Sequence, residues 1–215
     1  MGQGLVLLAH YRKRDMSRLA IFIDGHYLEA LCRDEYRIHI DYSLVSEEMR
    51  LIVNSKTPDS VDLLRTFYYD CLPYQSDPVT QDEKDRFGKK RGFFYFLNRL
   101  PRFVVREGRL AFKGLDINKN PIFQQKRVDL LLGLDFALLS GKQQITHAAV
   151  IAGDSDLLPA FKVAKEEGIS VWLFHGPKVS QKDGFSTFAS ELWQEADERY
   201  EIDLAFLKKI QRSNS

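Results

Sequence analysis

Three stretches of the chain are apolar without alternation: Leu19-Ala-Ile-Phe-Ile23, Ala148-Ala-Val-Ile-Ala152 and Ile169-Ser-Val-Trp-Leu-Phe174. Continuous short runs of this kind suit strands buried on both faces, as in a parallel sheet, whereas a half-wet sheet alternates apolar and polar positions. Leu63 to Tyr69 reads as a fourth strand. Helical patterns lie between them. Asp41 or Ser43 caps one that runs to about Val53, and Leu157 to Glu167 is another, closed by Gly168 where a left-handed residue ends a helix. Strand and helix in alternation predict an open, doubly wound α/β sheet.

A helix from about Asp82 to Leu100 and a hairpin from Phe103 to Lys113, turning at Glu107-Gly108, form an insertion at about 82–115 in this scheme. In that helix Phe93, Phe96, Leu97 and Leu100 follow the spacing of a core stripe. The last helices run from Phe188 to Tyr200 and from Leu204 to Ile210. With no repeats and no low-complexity linker, the expectation is one domain over 18–215 behind a loose extension, 1–17, in which Met16 is a candidate natural start.

The strands end in acids. Leu19–Ile23 runs into Asp24-Gly25, Leu63–Tyr69 into Asp70, and Ala148–Ala152 into Gly153-Asp-Ser-Asp156. Ligands of open parallel sheets bind outside the carboxyl ends of the strands, so three strands deliver acids to one rim. Such acids repel one another unless a cation sits among them or one stays protonated. Oxygen donors without a His/Cys set point to Mg²⁺ or Mn²⁺ rather than zinc. A further acid comes from Lys126 to Leu139, a helix apolar almost all round and therefore expected to be buried. Asp129 lies in its first turn, where the helix dipole favours an anion, and reads as a site residue; Asp135 lies deeper and reads as a supporting hydrogen-bonder. Singly these acids have bland readings. Asp156 can cap the next helix, and Asp70 and Asp24-Gly25 can be turn residues. As a set they favour function. His26 and Ser155 fall in loops beside the site; His10, His39, His147 and His175 have no metal-ligand spacing.

Charge sharpens this picture. The net charge is +1, but Lys84 to Arg127 carries thirteen Lys/Arg against three acids. On the helix, Arg91, Tyr95 and Arg99 share a face. Arg102 and Arg106 on the expected hairpin, with Lys126 and Arg127 ahead of Asp129, extend a basic strip suited to a nucleic-acid backbone. Hydrophobic residues make up 44% of the 215, enough for a core, and no apolar run approaches the roughly 20 residues that span a bilayer. Two cysteines, Cys32 and Cys71, form neither a disulfide framework nor a zinc pattern, which fits a reducing cytoplasm.

Phe22-Ile-Asp-Gly-His-Tyr-Leu28, Tyr68-Tyr-Asp70, Lys126-Arg-Val-Asp129 with Asp135 six residues on, and Ala152-Gly-Asp-Ser-Asp-Leu-Leu-Pro159 together resemble NYN domains, the LabA-like branch of the PIN-like nuclease superfamily. Ser190-Glu-Leu192 with Ala196-Asp197 resembles the family's closing motif, so the likeness covers about Arg18 to Tyr200. It implies a PIN-like three-layer sandwich and an Mg²⁺- or Mn²⁺-dependent ribonuclease whose metal site maps onto Asp24, Asp129 and Asp154 with Asp156 alongside. One departure is His26, where such domains usually carry Asn; it bears on substrate positioning near the first aspartate. RNA, single-stranded or structured, is the expected partner, with no membrane; the sequence leaves homo-oligomerisation open. One alternative is a non-catalytic RNA- or protein-binding module on the same fold. A haloacid dehalogenase-type phosphatase ranks lower, because Asp24 is followed by Gly25 and His26 and lacks the second aspartate two positions on.

Overall fold

The structure, a computed structural model, describes residues 17–118 and 121–212. Ser17 opens the first strand, and the rest of the expected extension, with Met16, lies outside the described residues. In chain order the elements are β1 (Ser17–Asp24), α1 (Gly25–Ala30) running into a π-helical turn (Leu31–Tyr36), α2 (Tyr42–Lys56), β2 (Val61–Asp70) and α3 (Gln81–Arg99). Then come β3 (Phe103–Glu107), β4 (Arg109–Leu115), β5 (Pro121–Lys126), α4 (Val128–Gly141) and β6 (His147–Ile151). A 3₁₀ turn (Ser155–Leu157), α5 (Leu158–Glu166), β7 (Ser170–His175), α6 (Ser190–Glu195), β8 (Glu198–Glu201) and α7 (Leu204–Ile210) follow among the described residues.

Six strands form one sheet in the order β3-β2-β1-β6-β7-β8, and every neighbouring pair is parallel. The chain starts at the centre, winds out through β2 to β3, then returns to lay β6 on the other side of β1. β1 and β6 therefore flank the point where the winding reverses, the place at which open α/β sheets leave a crevice. Alternation within β1 builds two cores. Leu19, Ile21 and Ile23 pack in one layer with residues of α1, α2, α3 and α7; Ala20 and Phe22 pack in the other with α4, α5 and α6. This is the expected three-layer sandwich.

Local signals explain the helix starts. Asp41 caps α2, its carboxylate accepting the Ser43 N–H at 2.9 Å. Thr80 and Glu83 cap α3 reciprocally, one accepting the other's backbone N–H. Gly168, just past α5, has φ of +76° as its position requires.

Four expectations are corrected. The hairpin does not turn at Glu107-Gly108: Phe103–Glu107 joins the main sheet as an edge strand parallel to β2. The antiparallel ribbon is instead β4 with β5. Gly108 is where the chain leaves the sheet, wedged so closely against Val128, Cys71 and Lys126 that a Cβ would collide with them. Second, the helix expected to reach Tyr200 ends at Glu195. Asp197 bonds to both the N–H and the C=O of Val171, and so captures the following residues as β8. Third, α4 is not buried all round. Val128, Leu132 and Phe136 meet the sheet, while Leu130, Leu134 and Leu138 face outward. Fourth, the core stripe of α3 contains Phe94 and Leu97, flanked by Phe93 and Leu100, and Phe96 is exposed.

Asp135 ties α4 to the sheet. It accepts the Tyr69 hydroxyl at 3.0 Å and the Arg106 guanidinium at 2.8 and 3.4 Å. Asparagine there keeps one acceptor and loses the charge, so Asp135→Asn is expected to cost about 1–2 kcal/mol in chemical denaturation. Unchanged stability would show that these bonds contribute nothing net.

Candidate active site

Asp24 is the last residue of β1. One oxygen accepts the Tyr27 N–H at 3.1 Å, which caps α1 and leaves the other oxygen for the rim. Gly25 follows because the Tyr68 ring passes where its Cβ would stand. Asp154 lies beyond the end of β6 and is built alike: one oxygen accepts the Asp156 N–H at 3.0 Å and caps the 3₁₀ turn. The capping role considered for Asp156 thus belongs to Asp154. Gly153 is required here too, since a Cβ would strike Tyr27 and the Thr187 carbonyl oxygen. Asp24 and Asp154 line one cleft of about 430 Å³ with His26, Tyr27, Ser155 and Thr187.

Asp129 enters from the first turn of α4. Burial pushes its pKa above the usual carboxylate value, and the charges of Asp154 and then Asp156 push it the same way. Asp24 is pushed up to about 6, chiefly by burial, with Asp129 and Asp70 adding; the Tyr27 N–H and His26 oppose. Asp129 thus acts on Asp24 and is itself acted on by Asp154 and Asp156. Of the four expected acids, Asp24 and Asp154 line the same cleft, and Asp129 and Asp156 are linked to it through their charges.

Asp70 is occupied otherwise. It is buried, accepts the Cys71 N–H at 2.6 Å, and pairs with Lys90 at 2.6 Å. Lys90 also pairs with Glu29 at 2.7 Å, and the Tyr68 hydroxyl lies 2.7 Å from Glu29 and 3.2 Å from Asp70. Burial alone would lower the Lys90 pKa, but Asp70 and Glu29 outweigh it and hold it above the ordinary value. Asp135 contacts Tyr69 and Arg106, not the cleft acids, so its support is to the fold behind Asp129.

The basic strip does not run as one track. Arg102 is bonded to Asp62 and to the Leu63 carbonyl, at the start of β2. Eight residues of strand, about 26 Å, separate that end from Asp70. Arg106 is taken by Asp135. Arg91, Tyr95 and Arg99 do share an exposed face, with Arg91 over Phe87 and Arg99 over Tyr95, but that face descends α3 away from the rim. Lys126 and Arg127 are exposed at the end of β5 and the start of α4.

Among the described residues, no three His, Cys, Asp or Glu side chains are grouped closely enough to hold a metal ion between them. The acids are near enough to repel yet form no closed cage. That donor set fits Mg²⁺ or Mn²⁺, which take one or two carboxylates and keep several waters, and does not fit zinc.

Sequence reasoning missed Glu29, Lys90 and Tyr68, whose contacts join α1, α3 and β2. It also missed Tyr27 and the segment 176–189. The Tyr27 hydroxyl accepts the Gly176 N–H at 2.9 Å, and the Ala189 N–H bonds to the Gly153 carbonyl at 2.8 Å, so the connection after β7 walls the cleft. No residue type in those stretches signals this.

Asp24 sets a pH dependence. Its folded-state pKa, about 6, lies above the ordinary 3.8, so it favours folding below about pH 4 and loses that contribution as pH rises through 6. In EDTA, Asp24→Asn is therefore expected to match the parent near pH 4 and exceed its stability by up to about 3 kcal/mol above pH 7, measured by denaturation at both pH values. An advantage independent of pH would contradict this.

No curated protein matches the chain in sequence. The family model for the NYN domain matches residues 18–203, which include every acid of the cleft. With the parallel sheet, its reversal between β1 and β6, and the acids gathered there, the chain belongs to the NYN domain family.

Proposed function

We propose that the protein is a metal-dependent ribonuclease that hydrolyses RNA phosphodiester bonds at the cleft between β1 and β6. The observation that carries this reading is that Asp24 and Asp154 line one cleft at the reversal point of a parallel sheet, within electrostatic reach of Asp129. NYN domains are generally nucleases, and the PIN-like superfamily typically uses divalent metals. The motifs quoted above favour the LabA-like branch.

Asp24, Asp129 and Asp154 would hold Mg²⁺ or Mn²⁺, with Asp156 acting directly or through water. A bound ion there supplies neutralisation of phosphoryl charge and a more acidic water. The chain's own part is orientation. The Tyr27 and Asp156 N–H groups fix the carboxylates of Asp24 and Asp154, one oxygen each. Lys90 balances the charge of Asp70 behind Asp24, so that acid adds less repulsion. His26, exposed, and Ser155 line the same cleft and would meet a phosphate there. Lys126 and Arg127, ahead of Asp129, offer it cationic partners. The protein works where RNA is met, with a cytoplasmic setting as our reading; among the described residues no helix is long and apolar enough to cross a membrane.

The test is cleavage of matched RNA and DNA oligonucleotides with Mg²⁺, Mn²⁺ or EDTA. We expect RNA cleavage that EDTA abolishes. Asp24→Asn or Asp129→Asn should reduce it by several kcal/mol of barrier, on the order of a thousandfold. Asp70→Asn, acting through its neighbours, should cost on the order of 10- to 100-fold. Cleavage that survives EDTA and both substitutions would remove the reading, and RNA binding without cleavage in any metal would favour the non-catalytic module.

A further inference from the structure

A second depression, larger than the aspartate cleft, lies on the other side of α1. It encloses about 1010 Å³ between the π-helical turn, the segment 37–40, the start of α2 and the flank of α3. Its charge is one-sided: five lining side chains are Lys or Arg and one, Glu29, is acidic. Glu29 is already balanced by Lys90, and Arg33 by Asp34 at 2.7 Å. Arg37 and Lys89 have no ion-pair partner among the described residues and are exposed at the rim of the groove. Arg212 and His39 stand at its far end, where the Arg212 N–H bonds to the His39 carbonyl at 2.9 Å. The floor is different in kind: half-buried Phe93 and Ile38 provide apolar surface, backed by the buried Tyr42.

The groove is joined to the aspartates. Its inner wall is Glu29 and Lys90, and Lys90 bridges directly to Asp70 at 2.6 Å, the acid whose charge is felt by Asp24. One backbone feature is unusual. Arg37 closes the π-helical turn with φ of +53°, a left-handed conformation that non-glycine residues seldom adopt. A glycine would sit there with less strain, yet the position carries a long cation directed to an uncompensated basic groove.

We propose that this groove holds the single-stranded RNA flanking the scissile bond, with Arg37 and Lys89 on its phosphates and Phe93 and Ile38 as the apolar surface under its bases. Basic walls over an aromatic floor are the means by which proteins hold single strands without reading sequence. The assignment rests on the ribonuclease reading for its direction toward Asp24, and it replaces the outer face of α3 as the path of the strand.

The test separates the two ideas by measuring binding in EDTA, where no metal-dependent cleavage occurs. The probe is a short fluorescent oligouridylate titrated with the full chain across a salt series. The variants are Arg37→Gly with Lys89→Ala, and Arg91→Ala with Arg99→Ala on the outer face. Arg37→Gly relieves the left-handed residue, so the first variant should melt at or above the parent temperature, which removes misfolding as an explanation. We expect it to bind on the order of tenfold more weakly or worse, with the salt slope reduced by about 1.4 for two lost contacts. The outer-face variant should bind as the parent does. Parent-like affinity and slope in the groove variant, no binding by the parent, or a loss confined to the outer-face variant would each overturn the proposal. If groove-dependent binding persists while no metal supports cleavage, the groove stands and the ribonuclease reading falls.

Discussion

A carboxylate half-buried beside a second carboxylate is held there against its own electrostatics. Asp24 and Asp129 are in this position, and Asp129 also feels Asp154 and Asp156. The fold supplies what offsets the repulsion within the chain: the Tyr27 N–H on Asp24, the Asp156 N–H on Asp154, the dipole of α4 behind Asp129, and Lys90 on Asp70. These neutralise in part. The proton that Asp24 retains up to about pH 6 offsets more of the repulsion.

The all-parallel sheet is what makes the crowding possible. Each strand starts at one edge and finishes at the other, so whatever follows a strand is delivered to a common rim. Because the winding reverses between β1 and β6, no crossover connection fills the gap between their ends, and Asp24 and Asp154 meet there. The same topology explains the groove. α1 begins at Asp24, so the turn that follows it, and Arg37 at the end of that turn, lie within one short helix of the rim.

The legible parts were those where sequence and burial carry one message. Continuous apolar runs marked β1, β6 and β7, and the acids that close β1, β2 and β6 marked the rim, because a buried strand places its polar residues where it ends. The capping oxygen of Asp41 was visible as a residue type, whereas that of Thr80 was not read from the sequence. What stayed hidden depends on partners far along the chain. Glu198–Glu201 is polar enough to pass as the end of a helix, and becomes a strand only because Asp197 bonds to Val171. Phe103–Glu107 looks like half of a hairpin until β2 presents a free edge to it. Arg102 and Arg106 looked like free cations until Asp62 and Asp135 were placed against them. The outward leucines of α4 look like core until the sheet is seen to cover one side alone. Lys90 was one lysine of a basic run, and only its position over Asp70 and Glu29 distinguishes it.

The central claim is that the strand-end acids share one site for a divalent ion. The most direct measurement is the anomalous scattering of crystals soaked in Mn²⁺. The account predicts a peak at the carboxyl-end rim, within coordination distance of Asp24 or Asp129, with waters completing its shell, and its loss in Asp129→Asn. A rim that stays free of Mn²⁺ at saturating concentration, or a peak unaffected by that substitution, would contradict it.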